Sequence, residues 1–215
     1  MQEGGIGIGI PHAYVPGGGA KEMTDLCSLA KRYDAPTYTH IAYSSNIDPR
    51  SSVDAYTRLI GYAGATGAHM HICHFNSTSL QDVRRAAELV QMAQKQGLNI
   101  TVEAYPYGTG STVIGAPFFS DPAFRERSGN DYSAIQKVDD GHRFTNREDI
   151  LKAQKERPDS LVLWHFLDME SNPSAHDLLD VSVLYPGGII ASDAMPWTLP
   201  DGSLYEGDAW PLPDD

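Results

Sequence analysis

Apolar residues recur along the chain in two rhythms, a period of two and a period near 3.6, and the two alternate. Ile6, Ile8 and Ile10 are interleaved with Gly7 and Gly9, which predicts a strand with one branched face and one bare face. A bare face suits close approach of a ligand or another backbone. Residues 20–33 follow with Met23, Leu26, Cys27 and Ala30 at helical spacing. Residues 36–41 read as a second strand. A long polar loop then leads to Ser52, a candidate cap, and to a helix through Val53, Tyr56, Leu59, Ile60 and Ala63 that ends at Gly67. Residues 69–74 are the next strand. Ser79 with Asp82 marks the start of a helix whose stripe is Leu80, Val83, Ala87, Val90 and Ala93, closed by Gly97. Residues 98–104 form a further strand, ended by Tyr105-Pro106-Tyr107.

Strand and helix thus alternate at about thirty residues per unit, the spacing of a parallel sheet with helical crossovers. The rhythm breaks over residues 108–158, where a polar run reads as an insertion. Within it Thr145 and Glu148 are placed as a capping box for a helix reaching Glu156. Residues 161–166 then read as a strand, 175–180 as a short helix and 188–193 as the last strand. The expected organisation is βα units over 1–116, an inserted segment over 117–158, a last unit over 159–196 and an irregular tail over 197–215.

Composition narrows the function. The 215 residues carry 16 Lys and Arg against 28 Asp and Glu, a formal charge of −12. A broad nucleic-acid surface needs the opposite sign, and an anionic membrane surface is disfavoured for the same reason. No apolar run reaches the roughly 18 residues that span a bilayer. The N-terminus lacks a signal-like pattern, and Cys27 and Cys73 do not make a disulfide scaffold, so a reducing cytoplasm is the expected setting. No glycine-rich phosphate loop follows a strand, and no G-x-S-x-G nucleophile elbow is present.

Chemistry-bearing side chains gather where a parallel α/β array places its ligands, at the carboxyl ends of strands. His40, His74, Glu103, His165 and Asp193 all fall near such ends. Imidazole and carboxylate suit zinc, which polarises a carbonyl and acidifies water, and a nearby Asp can carry the proton to a leaving amine. A bland role competes at each position. His69 and His71 share one strand face and His74 lies on the other, so at least one of the three is expected to be structural. Ser-Asp after a strand is also an ordinary turn or helix cap. His12 and His142 read as loop residues, His176 as a helix cap, and Cys27 and Cys73 as core.

Taken in order, several motifs resemble the amidohydrolase superfamily, in its N-acyl-D-amino-acid deacylase (D-aminoacylase) branch. They are Gly7-Ile8-Gly9-Ile10-Pro11 with Tyr14-Val15-Pro16-Gly17, Thr39-His40, Ile72-Cys73-His74, Glu103-Ala104-Tyr105-Pro106-Tyr107 with Gly110-Ser111-Thr112, and Tyr185-Pro186 before Ile190-Ala191-Ser192-Asp193. The resemblance implies an α/β fold, a partial TIM-type (β/α) barrel covering strands four to eight with an inserted segment before the last strand. It implies zinc held by His40, His74 and Asp193, with Asp193 as general base. It also implies a pocket for a small N-acyl-amino-acid substrate shaped by Tyr107 and Ser111. The family's upstream His-x-His pair has no counterpart here, which leads to the expectation of a fragment of a longer enzyme with an exposed strand edge and an exposed apolar inner face. Asn76 stands where the family carries Lys, Tyr185 where it often carries His, and Ala42-Tyr43 where an Arg is usual. These departures suggest altered specificity, with N-acyl-D-glutamate as one acidic substrate. Arg50 is a candidate partner for the substrate carboxylate, with Arg143 as another. A cyclic amidase of the dihydroorotase or hydantoinase type is an alternative, and so is a non-catalytic structural or binding fragment.

Overall fold

The computed structural model describes residues 3–15, 17–41 and 52–194. In chain order the elements are β1 (Ile8–Ile10), α1 (Ala20–Arg32), β2 (Thr37–Thr39), α2 (Val53–Thr66), β3 (Met70–Ile72), α3 (Phe75–Ser79), α4 (Val83–Lys95) and β4 (Ile100–Ala104). They continue with β5 (Gly110–Val113), α5 (Phe124–Ser128), β6 (Ile135–Lys137), α6 (Arg147–Glu156), β7 (Leu161–Trp164), α7 (Ala175–Val183) and β8 (Ile189–Ile190). Five strands make a parallel sheet in the order β1-β2-β3-β4-β8. Three make an antiparallel sheet in the order β5-β7-β6. Among the described residues no helix is long and apolar enough to cross a membrane.

Strand alternation divides the parallel sheet into two unlike faces. Thr37, Thr39, Met70, Ile72, Ile100, Val102 and Ala104 are buried. The apolar ones among them share a core with Cys27 of α1, Tyr56 and Leu59 of α2, and Val83, Ala86 and Val90 of α4. The helix α2 ends at Gly67 as the sequence predicts, whereas α7 runs to Val183, three residues past the expected end. Gly67 takes the left-handed conformation that closes α2 (φ 66°), a position where a side chain would be strained. Gly7 is fixed by contact instead. A Cβ there would enter the Tyr38 ring and lie 2.6 Å from the Pro36 carbonyl oxygen.

The opposite face is not the apolar surface expected from the sequence. It carries Tyr38, His71, Thr101 and Glu103, and three of these join one hydrogen-bonded line. His69 Nε2 and His71 Nδ1 each lie 2.8 Å from Thr101 Oγ1, and His71 Nε2 lies 3.1 Å from Glu103 Oε2. A hydroxyl has one proton, so one orientation satisfies all three contacts. His69 donates to Thr101, Thr101 donates to His71, and His71 donates to the carboxylate. The rings of His69 and His71 are thus both engaged in hydrogen bonds along this face. The outer strands leave apolar side chains in solvent, with Ile189 54% and Ile190 57% exposed.

Three local readings of the sequence are corrected. The strand at Leu161–Trp164 is real, but it pairs antiparallel with β5 and β6 rather than joining the parallel array. Its continuous apolar run matches a buried parallel strand equally well, and its partner Gly110–Val113 gave no apolar signal. The cap of α6 is Asn146, whose side chain accepts from the Asp149 N–H at 2.9 Å, not Thr145. Asp149 in turn accepts from the Thr145 N–H at 3.3 Å rather than from the Asn146 N–H, so the two side chains do not close a reciprocal capping box. At Ser52 the hydroxyl does not cap α2. Its N–H and Oγ both bond the Asp82 carboxylate, at 2.9 and 3.3 Å, tying α2 to the start of α4.

Candidate active site

The backbone ladders run past the strand ends and carry polar residues to one rim. His40 N donates to Ile10 O at 3.0 Å, Cys73 N to Thr39 O at 3.1 Å, and Ala191 N to Ala104 O at 3.0 Å. His40, His74 and Asp193 thus stand just beyond β2, β3 and β8, and all three line one cavity of about 380 Å³. The His40 and His74 rings meet edge to face with centroids 4.3 Å apart. Tyr14 stands edge-on to His40 at 4.8 Å and bonds Thr112 Oγ1 through its hydroxyl at 3.0 Å. His74 and Asp193 both adopt left-handed backbone angles, φ 34° and 53°, unusual for residues with a Cβ and frequent at functional sites.

Burial sets the protonation states. The His40 pKa is pushed down to about 3, chiefly by burial, with His74 and His12 adding repulsion against a second positive charge. His74 is also lowered by burial, and the Asp193 and Glu103 charges offset part of that. Both imidazoles are neutral at pH 7, the form that binds a metal. Asp193 is exposed over its surface as a whole, yet crowding around its carboxyl raises its pKa. His74 opposes this rise and the Glu103 charge adds to it. Ser77 Oγ sits 2.9 Å from His74 Nδ1, which leaves Nε2 as the ring nitrogen without a hydrogen-bond partner among the described residues.

The other residues singled out in the sequence disperse. Ser111 lines the main cavity, and with Tyr107 and Asp193 it lines an adjoining cleft of about 230 Å³. Arg50 lies outside the described residues. Arg143 lies elsewhere, bonding the Ser133 carbonyl at 2.9 Å. His165 is not at a parallel strand end. Its ring bridges Thr109 Oγ1 and Gln136 Oε1, each at 2.9 Å, beside the small sheet. His176 lies inside α7, whose cap position is Ser174. Sequence reasoning passed over Ser77, Phe118, Trp164 and Phe166 as site residues. Ser77 had a signal, since a residue three positions after His74 on a helical turn faces back to it. The aromatic residues had none, because tertiary folding alone brings β7 and the Pro117–Ser120 turn over the parallel sheet.

The donors fit a divalent cation in kind. Two neutral imidazoles in contact, one oriented by a hydroxyl, are half of a tetrahedral zinc set. Among the described residues no three His, Cys, Asp or Glu side chains converge closely enough to hold an ion, so Asp193 shares the cavity without closing the set.

No family model matches the chain. Over 66 residues it is 36% identical to an allantoinase of Bacillus velezensis, which covers 31% of the chain and 13% of that relative. Over 78 residues it is 32% identical to a dihydroorotase of Lactobacillus gasseri, covering 36% and 15%. Among solved structures it is similar to an N-acyl-D-glutamate deacylase from Bordetella bronchiseptica complexed with zinc and a phosphonate inhibitor. The TM-score is 0.63 and the identity 17%, over 88% of this chain and 39% of that one. A D-aminoacylase gives a TM-score of 0.64 at 15% identity, over 89% and 40%. The chain therefore spans well under half the length of each of these proteins. All four are hydrolases, and the likeness to the two structures shows that this chain shares the α/β fold of the corresponding part of D-aminoacylases.

Proposed function

We propose that this chain forms the metal-binding and proton-transfer part of an amidohydrolase that cleaves the amide bond of small N-acyl-D-amino acids, within a TIM-type barrel. The observation that carries the reading is the meeting of His40 and His74 at 4.3 Å on a cavity that Asp193 also lines. His40 and His74 would hold zinc, and Asp193, which lines the same cavity, would have to move toward them to serve as the further ligand. Zinc, when bound, polarises the amide carbonyl and acidifies water. Asp193 accepts the proton of the attacking water and returns it to the nitrogen as the C–N bond breaks, a role suited to a carboxylate whose pKa is raised. Ser77 fixes the His74 ring through Nδ1. Ser111 and Tyr107 line a cleft with Asp193 and would meet the substrate's polar end, and Arg50 is the candidate cation for its carboxylate.

A second reading, hydrolysis of a cyclic amide or ureide, is favoured by the two sequence relatives, an allantoinase and a dihydroorotase. The test is amine release from N-acetyl-D-amino acids set beside ring opening of dihydroorotate and allantoin, with zinc supplied. Release of the amine that is lost in Asp193→Asn supports the deacylase. Ring opening alone supports the cyclic amidase. Turnover of both classes that is unchanged in Asp193→Asn sinks the assignment of the base.

A further inference from the structure

A second cavity, of about 690 Å³, opens beside the small antiparallel sheet, between the end of α5 and the turn that follows β7. Neutral groups that are already hydrogen-bonded form part of its lining. Asn130 is buried, donates from Nδ2 to the Phe166 carbonyl at 3.1 Å and accepts the Trp164 indole N–H at 3.0 Å. The His165 ring is held between Thr109 and Gln136. Around these groups stand charges of both signs. Arg143, Asp168 and Glu170 line the cavity together. Arg143 acts on the His165 ring with one sign and the two carboxylates with the other, so all three lie near that one side chain. Asp168 is fixed by Ser171, whose N–H donates to its carboxylate at 3.3 Å and whose hydroxyl donates to it as well. Arg143 gives an N–H to a neutral acceptor, the Ser133 carbonyl, at 2.9 Å, a bond that does not match its charge. Asp131, a third carboxylate in the lining, is already matched by Arg125 at 3.1 Å.

We propose that this cavity is a binding site for a free α-amino acid in its zwitterionic form, with the carboxylate on Arg143 and the ammonium on Glu170 and Asp168. A simple anion would meet the guanidinium but also two carboxylates, and a simple cation would meet the carboxylates but also the guanidinium. A species that carries both charges on one carbon gains at both ends. A planar guanidinium presents paired donors to a carboxylate, and the N–H groups of an ammonium suit the oxygens of two carboxylates. The volume is that of a pocket for a larger molecule, so recognition falls on the two charges and leaves the side chain free. Thr109 lies between this cavity and the candidate active site, since it bonds His165 and also lines the cleft of Tyr107, Ser111 and Asp193. The proposal does not rest on amide hydrolysis. Where that reading holds, a free amino acid is also what each turnover releases.

Amide chemical shifts of the isotope-labelled protein, with a chelator present to prevent turnover, test this directly. The probes are D-alanine, D-alaninamide, which lacks the carboxylate, and N-acetyl-D-alanine, which lacks the ammonium. D-Alanine should shift residues 129–134 and 168–172, binding there about tenfold or more tighter than either analogue. Arg143→Gln and Glu170→Gln, both at exposed positions, should each weaken D-alanine by a similar factor, whereas His40→Asn should leave it unchanged. Equal binding of all three probes at these residues overturns the proposal. So does D-alanine binding that is indifferent to both the Arg143 and the Glu170 changes, and so does the absence of any shift there up to about 10 mM. The acetylated probe separates the two ideas. If it shifts only residues 74–77 and 110–113 while D-alanine shifts nothing at the second cavity, the candidate active site stands and this inference alone is removed.

Discussion

His40 and His74 touch because Thr39 and Ile72 are register partners on adjacent parallel strands, and each histidine follows its strand's last residues into the same cavity. Adjacent strands lie about 4.8 Å apart, so two side chains leaving neighbouring strand ends toward one side arrive in contact without any loop to guide them. Burial removes the proton from each, and two charged imidazoles at that distance would repel strongly. Both imidazoles are therefore neutral at pH 7, the form in which such a pair can bind a cation.

Zinc affinity should follow that geometry. In competition with a chromophoric chelator, His40→Asn and His74→Asn should each weaken zinc binding by more than Ser77→Ala does. The serine change should still cost about 10–100-fold, the usual effect of losing an orienting partner. Zinc affinity that is indifferent to both histidine substitutions would place the metal elsewhere or nowhere on this chain.

Gly7 offers a test of the fold that is independent of the site. The Pro36 carbonyl that a new Cβ would meet at 2.6 Å also accepts the Ile8 N–H at 3.0 Å, so it cannot swing away without breaking the link between β1 and the segment before β2. Gly7→Ala should destabilise the protein by about 1–3 kcal/mol, as overpacking does in cores. Gly9→Ala, where nothing lies within 4 Å of the new atom, should be tolerated far better. Urea denaturation of the two variants side by side gives the comparison, and equal losses would refute the contact argument.

Asn76 holds the segment that follows β4. Its amide donates to the Tyr105 carbonyl at 2.8 Å and the Tyr107 carbonyl at 2.9 Å, while its own Oδ1 is buried without a partner among the described residues. Asn76→Leu keeps the volume and leaves both carbonyls without this donor, which should cost about 1–3 kcal/mol. Faster amide exchange confined to residues 105–110 is the expected signature, since the clamp is local. Uniform loss of protection across the sheet would show that Asn76 supports the whole core instead.

Much of this arrangement is legible in the chain because the parallel core obeys simple periodicities. Ile8 to Ile10, Thr37 to Thr39 and Ile100 to Ala104 alternate between a helix-facing and an open side, and the helices between them carry clear stripes. His40, His74 and Asp193 were visible as polar residues at strand ends, which is where a parallel sheet concentrates chemistry. Where the reading failed, local pattern carried no information about partners. Leu161–Trp164 reads equally well as parallel or antiparallel, and only its pairing with Gly110–Val113 decides. Phe118 joins the cavity because of that pairing, so it was invisible for the same reason. The polar open face was missed because His71 and Glu103 were weighed one at a time, while the hydrogen-bonded line through Thr101 makes them a unit.

His165 supplies a pH dependence whose sign can be worked out. With Gln136 presenting its carbonyl oxygen to Nε2 and the Thr109 hydroxyl facing Nδ1, both ring nitrogens are satisfied by the neutral tautomer protonated at Nε2. Burial lowers its pKa below the ordinary value, and the Arg143 guanidinium pushes the same way against the partial opposition of Glu170 and Asp168. As pH falls through about 6.5, the unfolded chain takes up the proton first. Stability linked to this residue is therefore complete above that pH and is lost progressively as pH drops toward the folded-state value. His165→Gln keeps a donor and an acceptor but cannot titrate. Other histidines titrate in both proteins, so the difference between them isolates this site. Urea denaturation at pH 7.5 and pH 5 should show wild type losing more stability on acidification than the variant. A variant that loses as much would mean that His165 binds its proton equally in the folded and unfolded chains.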